Sequence, residues 1–208
     1  AASDVYKRQA HTPRQPLVIP VRLGLVGPQG ETVPVRVGDG QDGIEPPVDE
    51  AVVVLNGAES NVMLHDVPKG TVPSLLRGFS SPVQLTTNLT DTDRLHLLAH
   101  DGDAFCRWDA GQVLMLEAIR AILQDGKDVA TTREKVERLA AGFTATLGDN
   151  RLDGAEKAQI LRPPSQSVLE GMIPNPDPVL IWQARQNLLK MLGVAMADDI
   201  TAMLDSLM

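Results

Sequence analysis

The 208-residue chain has a single cysteine, Cys106, and no apolar run near the ~20 residues that span a bilayer. One cysteine excludes an internal disulfide, which fits a reducing, cytoplasmic compartment. The opening residues do not pair a basic stretch with an apolar one, so no signal peptide is read there. Lys and Arg number 19 against 27 Asp and Glu, giving a net charge of -8. Phosphate neutralisation needs clustered basic side chains, so nucleic acid is excluded as a partner, and no membrane contact is expected. The acidic balance is read as solubility.

Chemistry is scarce as well. Ser74, Ser80, Ser81, Ser165 and Ser167 lie in turn or cap contexts, and none sits in a G-x-S-x-G elbow. Asp91 and Asp93 form a carboxylate pair, but acids in a first helical turn already favour the helix dipole. "GDGQDG" at 38–43 lacks the calcium-loop ligand pattern and its closing Glu, so it reads as a turn. "NLT" at 88–90 is a glycosylation sequon only in a secreted chain. His96 and His100, in "LHLLAH", share a helix face at i, i+4 and could hold zinc. The hydrolytic motif needs Glu directly after the first His, and Leu97 stands there. With no third ligand evident, the pair is expected at a surface or interface. Cys106, between Phe105 and Trp108, is expected to be a buried, inert thiol, and Trp108 and Trp182 are expected in the core. No catalytic, cofactor-binding or metal-binding residue is assigned.

What is present is organisation. Residues 1–15 are polar and Pro-bearing and read as a linker or foreign leader. From Leu17 to about Leu89 the period is two: Val21, Leu23 and Leu25, then Val33, Val35 and Val37, then Val62 and Leu64 alternate with other residues. "GPQG", "GDGQDG", "NGAES" and "VPKG" punctuate them as turns. "AVVVL" at 51–55 predicts a strand buried on both faces, and Pro20, Pro34 and Pro73 predict edges or bulges. From about Thr90 the period becomes 3.6. Thr90 or Asp91 caps a helix carrying Leu95, Leu98 and Ala99. A second helix runs from about Asp103 to Gln124, with Phe105, Trp108, Gln112, Met115, Leu116, Ile119 and Ile122 along one side. Val136, Leu139, Ala140, Phe143 and Leu147 mark a third, ended by Gly148. Asp177 and Pro178 open a fourth, with Trp182, Leu188, Leu189 and Leu192 inward, and a last helix starts near Met196. The fold class expected is mixed: a small antiparallel β-sandwich at 16–88, then a stacked α-helical array at 89–208.

Four stretches carry a resemblance: "VIPVRLGLVG", "VLNGAESNVMLHDVP", "VPSLLRGFSSPVQL" and "HDGDAFCRWDAGQVL". In this order and at these spacings they resemble the bacterial zinc alanyl aminopeptidases known as aminopeptidase N, over about residues 16 to 208. The resemblance implies the third, immunoglobulin-like domain of that family and the start of its fourth, an ARM/HEAT-like helical domain. It implies a parent zinc metallopeptidase, a hydrolase that removes N-terminal residues from peptides. That chemistry uses H-E-x-x-H with a downstream Glu, a G-A-M-E-N strand and an oxyanion-stabilising Tyr. None of these is in this sequence, whose only Tyr is Tyr6 in the leader. The chain is therefore expected to be inactive alone, with no cofactor of its own and with zinc in a missing catalytic domain of the same polypeptide. Its expected role is scaffold and chamber wall, with peptide substrates met only in the intact enzyme. Phe79, Phe105 and Trp108 are expected in or near the junction of sandwich and helices. Ile200, Met203, Leu204 and Leu207 on one side of the last helix suggest an array cut mid-stack. The alternative is a free-standing protein-interaction module without enzymatic activity.

Overall fold

The computed structural model describes residues 17–38, 46–124, 129–175 and 177–206. The expected leader and most of the "GDGQDG" turn lie outside them. Among the described residues, six strands come first: β1 (Ile19–Val26), β2 (Thr32–Val33), β3 (Val37–Gly38), β4 (Glu50–Leu55), β5 (Met63–Leu64) and β6 (Val72–Leu75). A single 3-10 turn over Arg77–Phe79 follows. Seven helices complete the order: α1 (Asp91–His100), α2 (Ala104–Leu123), α3 (Val129–Gly148), α4 (Gly154–Ile160), α5 (Gln166–Met172), α6 (Pro178–Ala195) and α7 (Ala197–Ser206). Strands then helices, all strand pairs antiparallel, is the expected class.

β1 organises the first module. Leu23 pairs with Ala51 of β4 on one side and with Leu75 of β6 on the other. The turn "GPQG" returns the chain so that Leu25 and Val26 meet Val33 and Thr32 of β2. β3 and β5 form a separate two-stranded sheet, Val37 against Leu64. β1 alternates up to Leu23, and is then buried at every residue to Val26 because both its sides and both its faces are covered. Leu23, Leu25, Val33, Val35 and Ala51 make the sandwich core. Pro34 falls in the gap between β2 and β3, and Pro73 lies in β6, which pairs with β1 alone among the described strands.

β4 differs from its expectation. It is half-buried, not buried on both faces: Val52 is 58% and Val54 52% exposed. It pairs only with β1 among the described residues, so its apolar run reflects β propensity at an edge and not double burial.

The helices begin where capping chemistry puts them. Thr90 accepts from the Asp93 amide while Asp93 accepts from the Thr90 amide, a reciprocal capping box. Asp103 caps α2, and Asp177 with Pro178 starts α6. Leu98, Met115, Ile119, Leu139, Phe143, Ile160, Leu169, Ile181 and Leu188 are almost wholly buried in one continuous helical core. That core also takes in Val26 and Val72 from the strands. Full burial of such side chains contributes about 1.5–3 kcal/mol each. Trp182 departs from its expected inward position and is 55% exposed, because Ile181 and Ala184 take the buried stripe of α6.

Candidate functional site

Among the described residues, the buried charged side chains Arg77, Asp101 and Arg107 gather at or beside the seam between strands and helices. Arg77, in the 3-10 turn after β6, is 6% exposed. Its guanidinium reaches Glu50 of β4 at 2.9 Å and Asp101 at 2.8 Å. Asp101 lies in the bend between α1 and α2 and is fully buried. Room for the guanidinium comes from Gly24 in β1: a Cβ there would stand 2.3 Å from Arg77 Nη1. Burial lowers the Arg77 pKa, but the charge and hydrogen bond of Asp101, with Glu50, outweigh it and hold the group above its ordinary value.

The same bend is gripped from the helical side. Arg107, fully buried on α2, donates to the Asp101 carbonyl and pairs with Asp149. Burial pulls Arg107 below its ordinary pKa against the opposing pull of Asp149. Asp149 also accepts from Arg151, and that bond, with help from Arg107, holds its carboxyl well below the usual carboxylate range. Arg151 donates to the His100 carbonyl at 3.1 Å, and Thr146 to the Leu98 carbonyl at 2.9 Å.

Asp103 does double duty. One oxygen accepts from the Cys106 amide as the α2 cap, and the other accepts from the Gly78 amide at 2.8 Å, tying the 3-10 turn to the helix. The Cys106 thiol donates to the Leu75 carbonyl at 3.3 Å. The cysteine is buried as expected, and burial pushes its thiol far up, which disfavours the reactive thiolate.

His96 and His100 sit at this seam, with ring centroids 4.9 Å apart. His96 Nε2 bonds the Gly27 carbonyl at 2.7 Å, and the His100 ring covers Gly30, whose φ of +84° no side chain would favour. The pair is thus an interface contact between α1 and the β1–β2 turn. One ring nitrogen of His96 is already occupied, and no group of three or more His, Cys, Asp or Glu able to hold a metal occurs among the described residues.

Other candidates are structural too. Asp91 pairs with Lys135 and Asp93 completes its capping box. Ser80 accepts from the Arg22 amide, Ser81 donates to the Pro20 carbonyl, and Ser165 caps α5. Ser74 is buried in β6. Phe79, Phe105 and Trp108 do meet at the seam: ring centroids are 5.2 Å apart for the first pair and 5.6 Å for the second. Arg77, Asp101, Arg107 and Asp149 are not among the residues that the sequence patterns single out. Arg77 in "SLLRGF" and Arg107 in "FCRW" each carry a signal, a lone charge inside an apolar stretch, whereas Asp101 in "HDGD" and Asp149 in "GDNR" carry none.

The family described as "domain of unknown function (DUF3458) Ig-like fold" matches residues 4–88, and that described as "DUF3458_C, ARM repeats" matches residues 91–208. Aminopeptidase N of Escherichia coli (strain K12) is 31% identical over 192 residues, which cover 91% of this chain and 21% of that protein. Aminopeptidase N of Caulobacter vibrioides is 34% identical over 150 residues, 72% of this chain and 17% of that protein. Among solved structures, Legionella pneumophila aminopeptidase A in complex with aspartic acid superposes with a TM-score of 0.67 at 21% identity, over 90% of this chain and 20% of that one. The chain therefore spans about a fifth of the length of the relatives it matches.

Proposed function

The chain belongs to the DUF3458 family, an Ig-like module followed by ARM repeats, and it is homologous to part of aminopeptidase N; on that premise we propose that it is the non-catalytic scaffold of a zinc metalloaminopeptidase. In this reading a catalytic domain of the same polypeptide holds the zinc and removes N-terminal residues from peptides. The Ig-like module and the helices form part of the wall around that site, in a cytoplasmic enzyme. No helix among the described residues is long and apolar enough to cross a membrane, which is compatible with this placement.

One observation carries the proposal. The ionisable groups singled out at the seam are engaged in structure: Arg77 with Asp101, Asp103 with the Gly78 amide and His96 with the Gly27 carbonyl join the two modules, while Arg107 with Asp149 braces the bend from the helical side. Groups poised for catalysis need a free face and a partner aimed at a substrate. A seam built this way transmits position, as a wall or wedge does.

The test is hydrolysis of an alanyl anilide by the purified 208-residue chain, with and without added zinc. No turnover is expected. Robust bestatin-sensitive hydrolysis would overturn the proposal.

A further inference from the structure

The asparagines of the chain differ in the residue that follows each of them. Asn61 precedes Val62, Asn88 Leu89, Asn150 Arg151, Asn175 Pro176 and Asn187 Leu188, and Asn56 alone precedes a glycine. The distinction is chemical. A backbone amide nitrogen can attack the side-chain amide carbon of the asparagine before it and close a succinimide ring. A side chain on the attacking residue crowds that approach, a β-branched one most. Proline has no N–H to lose. An amide inside a helix is committed to the carbonyl of the preceding turn. Gly57 has none of these protections, and without a Cβ it reaches conformations closed to other residues.

The fold adds no protection of its own. Asn56 and Gly57 are exposed in the loop between β4 and β5. Among the described residues, neither the Gly57 amide nor the Asn56 side chain has a hydrogen-bond partner. Apart from its chain neighbours, a Cβ at Gly57 would meet only the Glu59 backbone, at 3.2 Å. Nucleophile, electrophile and water therefore share one open loop. The two Asp–Gly pairs among the described residues show the contrast. Asp101 is fully buried, and its Oδ1 accepts from Arg77 and from the Asp103 amide. The Asp153 carboxylate accepts from the Glu156 amide as the cap of α4, whose first residue is Gly154. Both carboxylates are held in place, and the Asn56 amide is not.

We propose that Asn56–Gly57 is a site of spontaneous covalent modification, where Asn56 is converted through a succinimide into isoaspartate and aspartate. The Gly57 nitrogen loses its proton and attacks Asn56 Cγ. The new N–Cγ bond forms, the bond from Cγ to the side-chain nitrogen breaks, and ammonia leaves with that proton. Water then opens the ring at either carbonyl. Opening at the backbone carbonyl routes the chain through the side chain and leaves isoaspartate, and opening at Cγ gives aspartate. The net reaction consumes one water, releases one ammonia and needs no oxidant or cofactor. Both products add a carboxylate to a loop that already carries Glu59. Isoaspartate also lengthens the β4–β5 connection by one backbone carbon. The inference is independent of the aminopeptidase reading.

Peptide mass spectrometry of the purified 208-residue chain, aged in neutral and in mildly alkaline buffer, tests this. The tryptic peptide 37–69 carries both Asn56 and Asn61, so its fragments compare the two sites in one molecule. The amide-to-acid mass change is expected to accumulate at Asn56 several-fold faster than at Asn61, and faster at the higher pH, where the Gly57 amide loses its proton more often. An isoaspartyl-specific carboxyl methyltransferase with a labelled methyl donor should label the aged chain and not the fresh one. Gly57→Val should slow the conversion several-fold. Conversion at Asn56 no faster than at Asn61, or undiminished in Gly57→Val, would overturn the proposal. A mass change at Asn56 without methyl labelling would mean direct hydrolysis of the side chain and would overturn the succinimide route.

Discussion

Breaking the Arg77–Asp101 pair should destabilise the chain far more than its single contact suggests. Asp101 is fully buried, and the Arg77 side chain is 7% exposed, so water cannot replace a lost partner. Arg77→Met keeps most of the volume over Gly24 but strands the Asp101 carboxylate with only the Asp103 amide on its Oδ1. Asp101→Ala strands the guanidinium with Glu50, which is 39% exposed and therefore screened. Removing one member of a buried pair costs about 3–5 kcal/mol, mainly from the charge left behind. That is a large share of the ~5–15 kcal/mol that holds a domain folded. The double variant Arg77→Met/Asp101→Leu buries no orphan charge, so it should be more stable than either single variant. By contrast, removing the exposed Arg133–Glu137 pair on α3 should cost ~0.3–0.5 kcal/mol. The assay is urea unfolding followed by far-UV circular dichroism and by the fluorescence of Trp108 and Trp182. Single variants within ~0.5 kcal/mol of the parent would refute the claim that this pair joins the modules, because changes of that size are ordinary for surface sites.

Gly30→Ala should cost ~1–3 kcal/mol in the same unfolding assay, since it adds a side chain at φ +84° and drives a Cβ to 2.7 Å from the His100 ring. Trp108→Ala should cost about 2 kcal/mol, less than the ~3–5 of a fully buried aromatic, because Trp108 is half-buried; an unchanged melting temperature would contradict its place in the seam. Stability should fall with acid in two stages. Burial first, then His96 and the nearby Arg107 and Arg151, hold His100 below its ordinary value near 6.5, with Asp149 opposing. The unfolded chain therefore takes up that proton first, and stability present above about pH 6.5 declines below it. Asp149 is depressed, so its contribution is present above about pH 3.9 and is lost as pH falls through its folded value. His100→Gln should flatten the first stage and Asp149→Asn the second in melting curves recorded against pH.

Much of the fold was legible because local chemistry and tertiary packing agree. Thr90, Asp103 and Asp177 sit at helix starts both as sequence signals and as observed caps. Val136, Leu139, Ala140 and Phe143 are buried as their spacing predicts. α4 and α5 went unread, although Asp153 and Glu156 form a capping box, because seven-residue helices carry too few periodic positions to stand out. Trp182 and the valines of β4 were misplaced for a related reason: size and hydrophobicity do not say which side of an element is covered. The seam was the least legible part. His96 and His100 suggested a ligand pair, and only the fold shows the Gly27 carbonyl and Gly30 beneath them. Arg77 and Asp101 are 24 residues apart, and nothing local announces that they meet.

The most direct test of the central claim is the length of the native polypeptide that contains "VPSLLRGFSSPVQL". Peptide mass spectrometry of the aminopeptidase activity fractionated from the source organism would measure it. The account predicts a protein several times longer than 208 residues that carries these peptides and co-purifies with zinc-dependent hydrolysis. A stable 208-residue species separated from all aminopeptidase activity would contradict it.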